Sequence, residues 1–260
     1  MSTSAPLPAS PQPHAEHHTH LVFPHLLETV RTTLMVTVSA LFVVAFLLQP
    51  FRIPSESMER TLLVGDFLLV DKVSFAPPGP WGWLMPYQKV ERGDIVVFHF
   101  PLNAEEHVVK RVIGVPGDRI ALQNGVAMVN NTVQPEPWDV FERADGDAYR
   151  DQFPRYWTDD PSVDPRWRQE MRTLVANARL RVPPHTYFVL GDNRNHSRDS
   201  RYWGFVPQQN IEGMPLLIYF SLREPSSTDT ASPSRLHLDD SAIGRVVDFA
   251  RWDRILHIIH

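Results

Sequence analysis

Residues Thr32 to Phe51 carry no charged side chain, and the run is closed at both ends by arginine, Arg31 and Arg52. About 20 residues at about 1.5 Å each reach roughly 30 Å as a helix, the thickness of a bilayer's hydrocarbon layer. Its centre, Ala40 to Leu48, is apolar on every helical face. A run of this kind folds as a membrane span, as a fully buried core helix or as a cleaved export signal. No compact basic segment precedes it, and Leu48-Gln49-Pro50-Phe51 lacks the small residues of a cleavage site. The expectation is an uncleaved anchor over 26–51. Arg31 on one side and Arg52 and Arg60 on the other leave its orientation open by charge count.

The segment before the anchor, 1–25, alternates prolines with small polar residues and ends in His14, His17, His18 and His20, which reads as a disordered tail. Across the 260 residues the net charge is −5, so no basic face points to a nucleic acid. Cysteine is absent, which excludes thiol catalysis, disulfides and cysteine-ligated zinc.

From Leu62 onward the pattern is strands and turns. Strands are expected at Asp66–Val73, Asp94–Phe100, His107–Val115, Thr186–Leu190 and Leu216–Ser221. Asn124-Gly125 between two short apolar runs signals a hairpin. Pro77-Pro78-Gly79-Pro80 reads as a loop, extended by Gly82, Trp83 and Pro86. Closely spaced strands argue for antiparallel sheets over βαβ units. Residues 131–182 read as an insertion whose aromatics, Trp138, Tyr149, Phe153, Tyr156, Trp157 and Trp167, form a small cluster of their own, with a helix within Asp164–Leu180. Residues 224–260 read as a polar linker and an amphipathic, helix-compatible segment over Val246–Leu256.

Two residues carry chemistry. Ser57 follows the anchor in Pro54-Ser55-Glu56-Ser57-Met58, and Lys110 sits within Val108-Val109-Lys110-Arg111-Val112-Ile113. A lysine in a run of valines is dehydrated, which favours the neutral amine. A neutral amine beside a serine hydroxyl is a general base for nucleophilic attack. The segment Gly191 to Gly204 is dense in polar groups that can support such a site. Its Ser197 can hydrogen-bond the lysine amine, and Asp199 with Arg201 can form a rigid charge pair.

These blocks resemble the bacterial type I signal peptidases. The match takes in the anchor, Pro54–Met58, Arg92–Phe98, Val109–Asp118 and Gly191–Gly204, in order, over about residues 32–130 and 185–222. The resemblance implies a mainly β fold of coiled antiparallel sheets over 52–223 with one N-terminal transmembrane helix. It implies a serine endopeptidase that removes signal peptides from exported preproteins, favouring small residues before the cut, on the outer side of the membrane and with an apolar face against the lipid. Carried over residue by residue, Ser57 is the nucleophile and Lys110 the base. Ser55 and the Ser57 N–H form the oxyanion hole, Ser197 orients the lysine, and Asp199 and Arg201 give structural support. No metal or organic cofactor is implied. One position departs from the family pattern: Arg60 stands where proline is usual. Two other readings fit parts of the sequence, a self-cleaving repressor type of serine–lysine protease and a catalytically silent membrane-anchored β scaffold.

Overall fold

The structure, a computed structural model, describes residues 22–46, 48–72, 88–139, 141, 146–223 and 249–259. The histidine-bearing tail, the Pro77–Pro80 loop and the 224–248 linker lie outside them. The chain divides into two units, 1–44 and 45–260. In the first, helix α1 runs Val22–Phe46. Its side chains from Leu26 through Phe42, apolar ones included, are exposed. Among the described residues no helix is long and apolar enough to cross a membrane.

The helix ends at Phe46 rather than Phe51, because Leu48–Arg52 is strand β1. Pro50 has no N–H to continue a helix and biases Gln49 towards extended backbone. As an edge strand β1 tolerates the proline, pairing from Leu48↔Asp71 to Arg52↔Phe67.

The remaining strands follow as β2 (Asp66–Asp71), β3 (Ile95–Phe100), β4 (Asn103–Gly114), β5 (Arg119–Gln123), β6 (Val126–Val129), β7 (Thr132–Val133), β8 (Val175–Ala176), β9 (Arg179–Arg181), β10 (Thr186–Leu190), β11 (Val206–Pro207), β12 (Ile211–Ser221) and β13 (His257–Ile258). Three short helices interrupt them, α2 (Ala148–Asp151), α3 (Pro165–Leu174) and α4 (Ser200–Trp203). The fold is mainly β, as expected, and its strand pairs are antiparallel. One sheet has the order β1-β2-β12-β3-β4-β10-β11, with β13 beside β12. The second has the order β7-β6-β5-β9-β8. Register shifts along β12 mark bulges, and bulges raise local twist. They let β12 serve β3 at one end and β2 at the other, which coils the sheet.

The Asn124-Gly125 hairpin forms with both residues at positive φ, 51° and 79°, the backbone that a two-residue turn of this hand requires. The helix expected within Asp164–Leu180 is present as α3, and beyond Leu174 the residues Asn177 and Ala178, both at positive φ, turn β8 back onto β9, which pairs with β5. Two other expectations are corrected. Residues 249–259 are not a continuous helix: Ala250 bridges Leu222, Trp252–Arg254 form one 3-10 turn, and β13 pairs with β12. The insertion does not keep a separate cluster. Tyr149, Phe153 and Trp167 share one core with Ile120, Leu122, Phe188 and Phe205, while Tyr156 and Trp157 are exposed.

Candidate active site

Ser57 lies in a 3-10 turn, Glu56–Met58, directly after the buried Ile53. Met58 is 1 % exposed and packs with Ile53, Leu62, Leu68, Val97 and Ile218. Burial of the side chain next in sequence fixes the serine's position far better than a free loop would. Lys110 comes from the middle of β4, opposite Val96 of β3. The two meet as the sequence predicted: Lys110 Nζ donates to Ser57 Oγ at 2.6 Å and to the Val109 carbonyl at 3.1 Å. Both residues are buried, at 4 % and 7 % exposure.

Burial pushes the Lys110 ammonium down to about 8 from its ordinary 10.5, because the charged form loses its water. The charges of Asp199 and Asp192 pull it partly back. Neither carboxylate makes a hydrogen bond with the amine, so desolvation wins.

Ser55 is exposed, and its Oγ lies 3.4 Å from Ser57 Oγ. It precedes the 3-10 turn with extended backbone and makes no capping hydrogen bond, which leaves the hydroxyl available to a ligand. Ser197 is buried, and its Oγ makes no well-aligned hydrogen bond among the described residues, although it lies close enough to the Asp199 carboxylate to help hold that carboxyl low. The structure brings it beside the serine's loop: a Cβ added to Gly191 would lie 2.3 Å from Ser197 Oγ and 2.4 Å from the Ser57 carbonyl oxygen. Only glycine lets those two groups approach so closely. The expected contact between Ser197 and the amine is not made. Asn193 N–H donates to that Ser57 carbonyl at 3.1 Å, tying the two loops together.

Asp199 and Arg201 form the expected pair, fully buried, with Arg201 Nε and Nη2 donating to the two carboxylate oxygens at 2.8 and 2.7 Å. Burial opposes ionisation of Asp199, but the adjacent guanidinium and the Gly191 N–H more than offset it and hold the carboxyl below its usual range. Asp199 also caps α4 through the Arg201 N–H. The insertion supports the same loop, since Tyr149 Oη and Trp167 Nε1 both donate to the Arg201 carbonyl.

A second buried pair escaped the sequence reading. Arg111, next to Lys110, donates from Nε and Nη2 to the two oxygens of Asp192 at 2.8 Å each. Its Nη1 donates to the Gly93 carbonyl, and Thr61 Oγ1 donates to Asp192 at 2.6 Å. The Trp138 ring covers the guanidinium at 4.2 Å. The signal was present, because an arginine inside a valine run demands a buried acid.

Ser57 and Lys110 form one wall of a groove of about 400 Å³ whose other walls include Phe51, Pro54, Val108 and Trp203. A hydroxyl and a dehydrated amine in contact, facing an open groove, define a serine–lysine hydrolase type of site. Comparison with known proteins agrees. The family model described as signal peptidase, peptidase S26, matches residues 26–220. A signal peptidase I from Aquifex aeolicus is 32 % identical over 231 residues, covering 76 % of this chain and 86 % of that one. One from Pseudomonas fluorescens is 31 % identical, with 83 % and 80 % covered. A solved signal peptidase I from Enterococcus faecalis is 33 % identical over 49 % of this chain and 97 % of its own, with a TM-score of 0.33. The chain belongs to the peptidase S26 signal peptidase family. Signal peptidase I proteins are membrane-anchored in bacteria.

Proposed function

We propose that this chain is a serine endopeptidase that cleaves signal peptides from exported preproteins, with Ser57 as nucleophile and Lys110 as general base. The observation that carries this is the 2.6 Å contact between a buried amine held near pH 8 and a serine hydroxyl at the groove wall. Neutral Lys110 takes the Ser57 proton as Oγ bonds to the scissile carbonyl carbon. The carbonyl oxygen becomes an oxyanion, for which Ser55 Oγ and the Ser57 N–H are the donors. The resulting ammonium protonates the leaving amine, the peptide C–N bond breaks, and an ester to Ser57 remains. Water, deprotonated by the same amine, attacks the ester and releases the new carboxyl terminus and the serine.

As Ser57 passes to the substrate, the amine keeps the Val109 carbonyl as a partner, and Ser197, buried beside the serine's loop, is the hydroxyl that orients it in this reading. Asp199 and Arg201 keep that loop rigid. His196 faces Glu56 at 3.5 Å, and no hydrogen bond joins it to Ser57, which favours the lysine as base. Small residues before the cut are the specificity expected for a groove of about 400 Å³.

The apolar side chains left exposed on α1 support its reading as the anchor. Phe249, Trp252, Leu256 and Ile258, exposed in the chain region that carries β13, with Leu216 and Tyr219 of β12, supply the apolar face that meets lipid. The catalytic unit is then extracytoplasmic, where translocated preproteins emerge.

The test is processing of a preprotein by detergent-solubilised chain free of host peptidase. Ser57→Ala and Lys110→Ala should each abolish cleavage, and jointly do no more than either alone. Turnover by either variant at the parent rate sinks this reading.

A further inference from the structure

Outside the groove's chemistry, three strands bring two imidazoles and a carboxylate to one place. His99 of β3 and His107 of β4 are a direct cross-strand pair, with ring centroids 4.6 Å apart. Glu212 enters from β12 at the register shift between Ile211↔Phe98 and Gly213↔Val97. One ligand atom from each of the three lies within 4.8 Å of the others.

The hydrogen bonding around them is that of a ligand set rather than of a filled network. His99 Nδ1 lies 2.9 Å from the Ala104 carbonyl, which can only accept. The proton therefore sits on Nδ1 and the lone pair on Nε2, as a backbone carbonyl commonly fixes a metal-binding histidine. The Glu212 side chain is only 9 % exposed, and its Oε2 is buried without a hydrogen bond. His107 Nε2 is 3.1 Å from that oxygen, within ion-pair distance but without the alignment of a hydrogen bond. An ionised oxygen left this way is costly. Lys72 reaches the other oxygen, Oε1, at 3.0 Å.

We propose that His99, His107 and Glu212 bind a late first-row divalent cation of the zinc class. Two imidazoles and one carboxylate are the donors such ions prefer, with open positions left for water. Lys72 on Oε1 and the Ala104 carbonyl on His99 are the outer partners that orient the ligands. The ion ties β3, β4 and β12 together. His107 also lines the groove that holds Ser57, and it lies on the same strand as Lys110. Occupancy therefore braces the strand that carries the amine.

The experiment uses the full chain in detergent, purified without a histidine tag and with His14, His17, His18 and His20 replaced by alanine, so that the tail contributes no ligands. Calorimetric titration with Zn²⁺ should show one site, and Zn²⁺ should raise the melting temperature. His99→Ala, His107→Ala and Glu212→Gln should each weaken binding by at least about tenfold, the order expected for loss of a ligand or its support. Lys72→Met leaves the ligands in place and should weaken binding less than loss of any ligand does. The Co²⁺ form of the parent should show paramagnetically shifted ring protons from two imidazoles, a reading that does not depend on any variant folding. Absence of Zn²⁺ binding, or binding unchanged in Glu212→Gln, or Co²⁺ spectra without imidazole ligation, would overturn the proposal.

Discussion

Lys110 and Arg111 are neighbours on one strand, both buried, and strand geometry sends them to opposite faces. On one face the ammonium meets a hydroxyl and a carbonyl and no carboxylate. On the other the guanidinium meets a bidentate carboxylate, a carbonyl, a threonine hydroxyl and an aromatic ring. The same loss of water has two outcomes. A guanidinium does not release its proton at working pH, so the fold has to supply the counter-charge. An ammonium can shed its proton, and leaving it unpaired lowers its pKa. The second face holds shape; the first is left ready to accept a proton.

The sharpest break in the comparison is Lys110→Met. Cleavage should vanish, and so should that of Lys110→Arg, which cannot act as a base. Stability should move the other way. A fall from 10.5 to about 8 corresponds to about 3 kcal/mol of disfavoured charge at neutral pH. Between pH 8 and 10.5 the unfolded chain holds more protons than the folded one, so the parent's stability rises across that window. Lys110→Met should be more stable than the parent at pH 7, with the gap closing by pH 10.5. Equal stability of the two at both pH values in denaturant titrations would show that burial does not disfavour the charge.

On the other face, Asp192→Ala should lose about 3–5 kcal/mol, the usual cost of leaving one member of a buried pair uncompensated. Chemical denaturation reads this directly. A loss under 1 kcal/mol would mean that Arg111 finds water or another acceptor, and that the two faces are less different than their geometry.

Ser55→Ala tests the groove side without touching the dyad contact. Removing one oxyanion donor typically costs about 2.7–4 kcal/mol, on the order of 10²–10³ in turnover. The variant should keep its fold and its substrate KM. Turnover like the parent's would reduce Ser55 to a turn residue.

The proton itself gives a gentler test. Below about pH 8, kcat/KM should fall about tenfold per pH unit as Lys110 in the free enzyme becomes protonated. Asp199 raises the amine's pKa through space, so Asp199→Asn should move this acidic limb to lower pH, besides weakening the loop. A limb that stays put would show that Asp199 acts only on structure.

Much of this site could be read from the sequence because it depends on local rules. The hairpin at Asn124-Gly125, the β-rich runs, and a lysine among valines each carry their signal within a few residues. The elements that local patterns do not show depend on partners distant in sequence. The β8–β9 hairpin after α3 forms because β5 offers an edge to β9. Residues 249–259 are held by pairing with β12 and by Arg251 and Arg254 reaching the buried Asp66. Asp192 lies in the polar Gly191–Gly204 segment, but its pairing with Arg111 spans 81 positions and no periodicity marks it. Ser197 is the intermediate case. Its neighbourhood was expected, while its hydroxyl does not meet the amine.

The smallest expected effect sits in the turn that joins the two faces covalently. Residues 58–61 run from the buried Met58 to Thr61, which bonds Asp192. Within them Arg60 has φ 76°, the left-handed region that most side chains avoid. Proline, with φ locked near −65°, does not fit this backbone. The departure from the family pattern at this position is therefore matched by a different turn. Arg60→Gly relieves the strain and should stabilise the chain by about 1 kcal/mol, in the range of the left-handed penalty for a side chain. For a unit of this size that is a rise of about 2–4 °C in Tm. Arg60→Pro should instead lower Tm and cut kcat/KM together, because rebuilding the turn shifts Ser57 relative to Lys110 and Thr61 relative to Asp192. If Arg60→Pro melts and cleaves like the parent, the turn is not rigid, and the two faces of β4 are not coupled through it.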